Sequence, residues 1–196
     1  RSMKSAVSIT LMLFSIMTYG QGGKLQKVFN KKELKTLYNS ILIHPDSLSI
    51  HNNYLDAMGI DNPKLLKEYD ALLTKFPKSA VVPYAYGIYL SRLESPEARK
   101  YLLVAVERDS TLSEAYSALA FDAQRRGDMN LSLDYLLRAK RAAPDNPNHA
   151  FYYASTWKNF DSNRWILESL NVAENFPDHQ RGAQALFWLA ERSKDF

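Results

Sequence analysis

The sequence predicts an all-α chain built as a solenoid of antiparallel helix pairs, on three observations. Turns marked by proline recur at a nearly constant interval. Each interval holds two stretches with helical apolar spacing, and small residues stand where two helices would cross.

The turns are "IHPDS" at 43, "KFPKS" at 75, "ERDST" at 107, "AAPDN" at 142 and "NFPDH" at 175. Measured between Pro45, Pro77, Ser110, Pro144 and Pro177, the intervals are 32, 33, 34 and 33 residues. Proline suits such a turn because it cannot continue a helix and pushes the preceding residue into extended backbone.

The interval from Ser113 to Asn146 shows the division most clearly. Its first helix carries Tyr116, Leu119, Ala120 and Ala123, Gly127-Asp128 breaks it, and its second carries Ser132, Leu136 and Ala139 on one face. Ala120 and Ser132 are small, as close approach of two backbones requires. Start signals agree: Asn62-Pro63, Ser95-Pro96 and Asn146-Pro147 each place a capping residue before proline. Asn30 with Glu33 makes a capping-box start for a first helix with apolar face Leu34, Leu37, Tyr38 and Ile41. The stretch from Gln180 to about Arg192 carries Ala183, Leu186, Leu189 and Ala190, and reads as an unpaired helix covering the end of the stack.

This arrangement resembles the tetratricopeptide repeat, with its pattern W-x2-L-G-x2-Y, then A-x3-F-x2-A, then P. Tyr116, Leu119, Ala120, Ala123, Ser132, Leu136, Ala139 and Pro144 fall on its signature positions without a gap. Tyr86, Gly87, Leu90, Ala98, Leu102 and Ala105 fit with one loop residue missing. Ala150, Tyr153, Ala154, Trp157, Ile166, Leu170 and Ala173 fit if Pro177 comes one residue early, with Ile166 in place of a small residue. The interval from about Asp46 keeps Tyr54, Leu65, Tyr69 and Leu72 around a shortened turn. The resemblance implies a right-handed superhelix of about four repeats plus a C-terminal capping helix, spanning 31–196.

The first twenty residues read separately. Lys4, an uncharged apolar run from Ala6 to Met17 and a small residue at Gly20 have the order of a cleavable signal peptide over 3–20. Such a run is short of the roughly 20 apolar residues of a membrane span. Residues 21–30, polar and glycine-containing, read as a flexible lead. Without Arg1 and Lys4 the chain has 23 basic and 21 acidic side chains, a balance that argues against nucleic acid or an anionic membrane surface as partner. Cysteine is absent, which excludes disulfides and thiolate metal sites. An exported chain of this kind has to be held by its core.

No catalytic motif emerges. His44, His51, His149 and His179 show no metal-binding spacing, and the three beside the proline turns read as solvated loop residues, so neither a metal nor a cofactor is expected. The sequon at Asn130 puts its serine, Ser132, on the packed face, which disfavours glycosylation. The arrangement with functional content is the one the family resemblance implies, a concave groove lined by first helices. Carried onto this chain, its inward positions are Tyr84, Ile88, Ser91 and Arg92, then Glu114, Ser117, Phe121, Gln124 and Arg125, then Asn148, Phe151, Ser155, Lys158 and Asn159. Aromatic and basic residues together anchor interfaces. The expectation is a non-enzymatic protein- or peptide-binding adaptor or assembly factor of the bacterial envelope, periplasmic or secreted and monomeric. Its partner would carry acidic residues or a free C-terminus. Members of the family that hold chaperone tails use a lysine and asparagine clamp; here those places hold Tyr84, Ile88, Ser117, Phe121, Phe151 and Ser155, so that activity is not expected. A second reading is a glycan or cell-wall binder using exposed aromatics such as Tyr84 and Phe151.

Overall fold

Ten helices follow one another from Lys31 to Ser193 among the described residues, each turning back on the one before. The structure is a computed structural model, and it describes residues 17–19, 25–27, 29–59 and 62–193. In chain order the helices are α1 (Lys31–Ile43), α2 (Leu48–Met58), α3 (Lys64–Lys75), α4 (Val81–Arg92) and α5 (Ala98–Arg108). They continue with α6 (Ser113–Arg125), α7 (Met129–Ala142), α8 (Pro147–Thr156), α9 (Ser162–Asn175) and α10 (Gln180–Ser193). A 3₁₀ turn, Trp157–Asn159, extends α8. Ahead of the helices, β1 (Met17–Tyr19) pairs antiparallel with β2 (Leu25–Lys27), Thr18 opposite Gln26. Thus β2 falls in the stretch read as a flexible lead, while most of the expected signal peptide lies outside the described residues.

The pairs are α2/α3, α4/α5, α6/α7 and α8/α9, four repeats, with α1 before them and α10 after them. The start signals do what the sequence implies. Asn30 accepts from the Lys32 and Glu33 amides while Glu33 accepts from the Asn30 amide, a complete capping box. Asn62, Ser95 and Asn146 each accept from the amide two residues on, satisfying a donor that the first helical turn leaves unpaired.

How closely each pair approaches depends on two side chains. In α4/α5 they are Gly87 and Ala98, and in α6/α7 Ala120 and Ser132, all buried. A Cβ on Gly87 would stand 2.8 Å from Leu102 and 3.2 Å from the Ala98 carbonyl, so the two backbones are already at the limit of contact. The equivalent residues of the first repeat, Leu55 and Leu65, are large and fully buried, and α2 and α3 stay further apart.

In α9 the structure corrects the register. The sequence pattern puts Ile166, Leu170 and Ala173 on the packed stripe. Instead Trp165, Ser169 and Val172 are buried, with Ala173 beside them, while Leu170 is 41% exposed. The residue lost from the fourth interval comes out of the α8–α9 turn and not from the approach to Pro177. Trp165 therefore stands as far before Pro177 as Ser132 does before Pro144. An indole at that crossing keeps α9 from closing on α8 as tightly as α7 closes on α6.

A second correction concerns α10. It does pack on α8 and α9, but through Gly182, Ala185 and Trp188, not through the expected Ala183–Leu186–Leu189–Ala190 stripe. Leu186 and Phe187 are exposed, the latter by 62%. Helix α10 is in effect the first helix of a fifth repeat, and its exposed side is the one a second helix would cover. Gly182 is required here, because a Cβ would collide with the Phe176 carbonyl.

The turns also lock to each other. Ser79 donates to the Asp46 carboxylate at 2.6 Å and accepts from the Val82 amide, and Arg108 donates to the Ser79 carbonyl at 2.8 Å. His149, beside a proline turn and expected to be solvated, is buried, and so is His51. The Nε2 of His51 lies 2.9 Å from the Pro45 carbonyl, which can only accept, so Nε2 carries the proton and Nδ1 accepts from the Tyr69 hydroxyl at 2.9 Å.

Two substitutions at the α6/α7 crossing should have opposite signs. Ala120→Leu overpacks it and should cost about 1–3 kcal/mol in urea unfolding. Ser132 buries a hydroxyl with no hydrogen-bond partner, so Ser132→Ala should be stabilising by up to about 1 kcal/mol. A stabilised Ala120→Leu variant would mean that the backbones are not in close contact.

Candidate functional site: the inner face of the first helices

The first helices α2, α4, α6, α8 and α10 stand side by side, and side-chain contacts run from each to the next. Arg92 pairs with Asp56 at 2.9 Å, joining α4 to α2. Arg125 donates to the Ser91 carbonyl at 3.3 Å and reaches Asp122 at 3.4 Å, joining α6 to α4. The Phe121 ring meets the Tyr152 ring edge-on at 5.2 Å, and Gln124 donates to Thr156 at 3.2 Å, joining α8 to α6. Phe151 lies against Trp188 at 4.7 Å, joining α10 to α8.

These contacts sort the sequence-derived groove residues into two groups. Tyr84 (7% exposed), Ser117 and Phe151 (5%) are buried and form the packing between first helices. Phe121, 41% exposed, and the basic residues Arg92, Arg125 and Lys158 face solvent. Ile88, Gln124 and Ser155 are half-buried between the groups. Tyr84 and Phe151, two of the aromatics a glycan-binding reading would use, are thus covered.

The upper part of the face is a buried polar row. The Ser117 hydroxyl and His149 Nδ1 share a hydrogen bond at 2.9 Å, and His149 Nε2 is buried without a partner. Burial pulls His149 below the usual histidine range, with the Glu114 carboxylate opposing. Glu114 is held by the Ser113 hydroxyl at 3.0 Å. Tyr84 is pushed up to about 12, first by burial and then by Glu114, with Arg92 acting in the other direction. Nothing in this row gives a nucleophile access to a substrate: the serine and the histidine are both covered.

Two groups of residues were missed by the sequence reading. Asp56 on α2 neutralises Arg92. On α10, Arg181 donates to Asn148 at 2.8 Å and to the Tyr152 hydroxyl at 3.3 Å, with its guanidinium 4.5 Å from the Phe151 ring centre. Trp188, also on α10, lies 5.6 Å from the Lys158 ammonium. Carrying the inward spacing one interval beyond Pro177 reaches Arg181, Gln184, Trp188, Glu191 and Arg192.

Several solved structures resemble this chain over most of its length, and three serve as examples. YrrB, described as "a TPR protein with an unusual peptide-binding site", superposes with a TM-score of 0.55 at 17% identity, covering 82% of this chain and 87% of that one. Pseudomonas aeruginosa PilF gives 0.54 at 18% identity, covering 82% and 83%. A MamA RS-1 double mutant gives 0.58 at 14% identity, covering 76% and 86%. The fold is that of a tetratricopeptide-repeat solenoid. No family model matches the sequence, and no curated relative matches it. The solenoid's repeats diverge from the family pattern at the crossings of its first and last pairs, Leu55/Leu65 and Trp165, where the large residues stand.

The buried histidines make the solenoid acid-sensitive. His51 and His149 both have folded-state pKa values below that of the free side chain, with burial as the leading cause. The unfolded chain therefore binds more protons as pH falls through about 6.5. Stability is full above that pH and declines below it. Urea midpoints should fall between pH 7.5 and 5, and His149→Gln should make that decline shallower. An equal slope in the variant would exclude His149 as a source.

Proposed function

We propose that the chain is a non-enzymatic adaptor or assembly factor of the bacterial envelope that holds another protein, as an extended segment, along the inner face of its first helices. Support at the coarse level comes from the fold, shared with a solved protein described as having a peptide-binding site. The observation that carries the finer reading is Phe121. It is a large aromatic ring left 41% exposed on that face, backed edge-on by Tyr152, with Arg125 one turn away and Lys158 on the next first helix. A rigid aromatic beside cations is the composition of an interface anchor.

The preference for acidic residues or a free C-terminus narrows to one end of the face. Arg92 is neutralised by Asp56, and Arg125 is shared between Asp122 and the Ser91 carbonyl. Lys158 has no carboxylate partner among the described residues; its ammonium lies near Trp188 and Trp165. A partner carboxylate would be taken there, with an apolar side chain of the partner on Phe121. Export to the periplasm or beyond rests on the order of Lys4, the apolar run and Gly20. Among the described residues no helix is long and apolar enough to cross a membrane.

The test is capture from detergent-solubilised envelopes by chain beginning at Gln21, compared with Phe121→Glu and Lys158→Glu. Both side chains are exposed, so helical circular dichroism should not change. Phe121→Glu should abolish recovery of the partner, and Lys158→Glu should reduce it by about tenfold, as losing one charge-assisted contact would. Unchanged recovery with both variants would overturn the reading.

A further inference from the structure

At the opposite end of the solenoid from Lys158, a cavity of about 500 Å³ opens between α1, α2 and α3. It exists because two gaps coincide. Large residues hold α2 and α3 apart, and α1 packs on α2 without closing on α3. Leu34 and Tyr38 of α1 and Tyr54 and Met58 of α2 line it, with the two tyrosine rings 5.7 Å apart.

Its polar groups have one sign to spare. The only carboxylate in the lining, Glu68, is already engaged: it accepts from the Tyr54 hydroxyl at 2.6 Å and pairs with Lys64 at 2.9 Å. Lys31 and Lys35 stand at the opening one turn apart on α1, both exposed, with no carboxylate partner among the described residues. An apolar interior of this size with a few convergent polar groups is the usual form of a small-molecule site.

The cavity is separate from the inner face. Asp56, which belongs to that face, lies two residues from both Tyr54 and Met58, and two residues turn an α-helix by about 200°. The two surfaces are therefore on opposite sides of α2.

We propose that this cavity binds a single-chain alkyl carboxylate, its tail between Leu34, Tyr38, Tyr54 and Met58 and its headgroup at Lys31 and Lys35. The apolar lining selects the tail. Lys31 and Lys35 select the charge, because among the described residues they have no carboxylate partner and the one carboxylate in the lining, Glu68, is already engaged. A neutral chain of equal length would lose the headgroup contacts, and a short carboxylate would lose the tail. The site does not depend on the proposed role of the inner face, and Phe121→Glu should leave it intact.

The experiment is titration calorimetry with decanoate, below its micelle concentration, against decanol and acetate. Wild type should bind decanoate saturably, decanol at least tenfold more weakly, and acetate not at all. Lys31→Glu/Lys35→Glu changes two exposed side chains and should keep its circular dichroism. It should weaken decanoate at least tenfold while leaving decanol unchanged. Met58→Trp, which fills the cavity, should abolish both. Absence of decanoate binding to the wild type, equal affinity for decanol, or equal affinity in the double lysine variant would each overturn the proposal. So would saturable binding of an acidic phenylalanine peptide where decanoate is silent, which would give the cavity to a protein side chain.

Discussion

Backbone contact between the two helices of a repeat is the constraint on which the rest of this solenoid depends. Where glycine, alanine or serine occupies both sides of the crossing, as at Gly87/Ala98 and Ala120/Ser132, the helices close and their leucines interdigitate behind them. Where leucine or tryptophan occupies a side, the pair opens. The two tight pairs are the central ones, and the open ones flank them. The array is thus most closely packed in the middle, where Phe121 is presented, and most open at the first pair, where the cavity lies.

The inner face has to serve packing before it can serve recognition. Adjacent first helices bury a tyrosine, a serine–histidine pair and a phenylalanine between them, and these fix the spacing of what remains exposed. Charge is treated in the same way. Two of the three groove cations are used to tie neighbouring repeats together, and only Lys158 is without a carboxylate partner among the described residues. Recognition is therefore concentrated toward the C-terminal half of the face. This follows from the geometry of stacking, since any side chain long enough to reach the next helix is drawn into the interface.

The histidines show how a polar residue can belong to such a core. His51 has both ring nitrogens satisfied, by a turn carbonyl and a tyrosine hydroxyl. His149 has one satisfied and one buried without a partner. In each case the neutral ring is the form the surroundings accept, which makes proximity to the proline turn a poor guide to exposure.

The sequence by itself determined the repeat, the helix starts and the identity of the tight crossings. Turn spacing, capping chemistry and small residues at helical intervals are local properties, and a chain with all three consistent has few other ways to bury its apolar stripes. It also placed Phe121 and Lys158 on the inner face. Only the tertiary structure decided which inward residues remain exposed, because that depends on the neighbouring helix and not on the residue's own. Tyr84 and Phe151 share one inward position of the repeat and Phe121 holds another; the first two are buried, with Glu114 and Trp188 from adjacent helices beside them, and Phe121 is not. The register of α9 was likewise a tertiary outcome. Dropping one residue from its entry turn is invisible to periodicity, because Ile166/Leu170 and Trp165/Ser169/Val172 are both acceptable helical stripes, and only packing against α8 chooses between them.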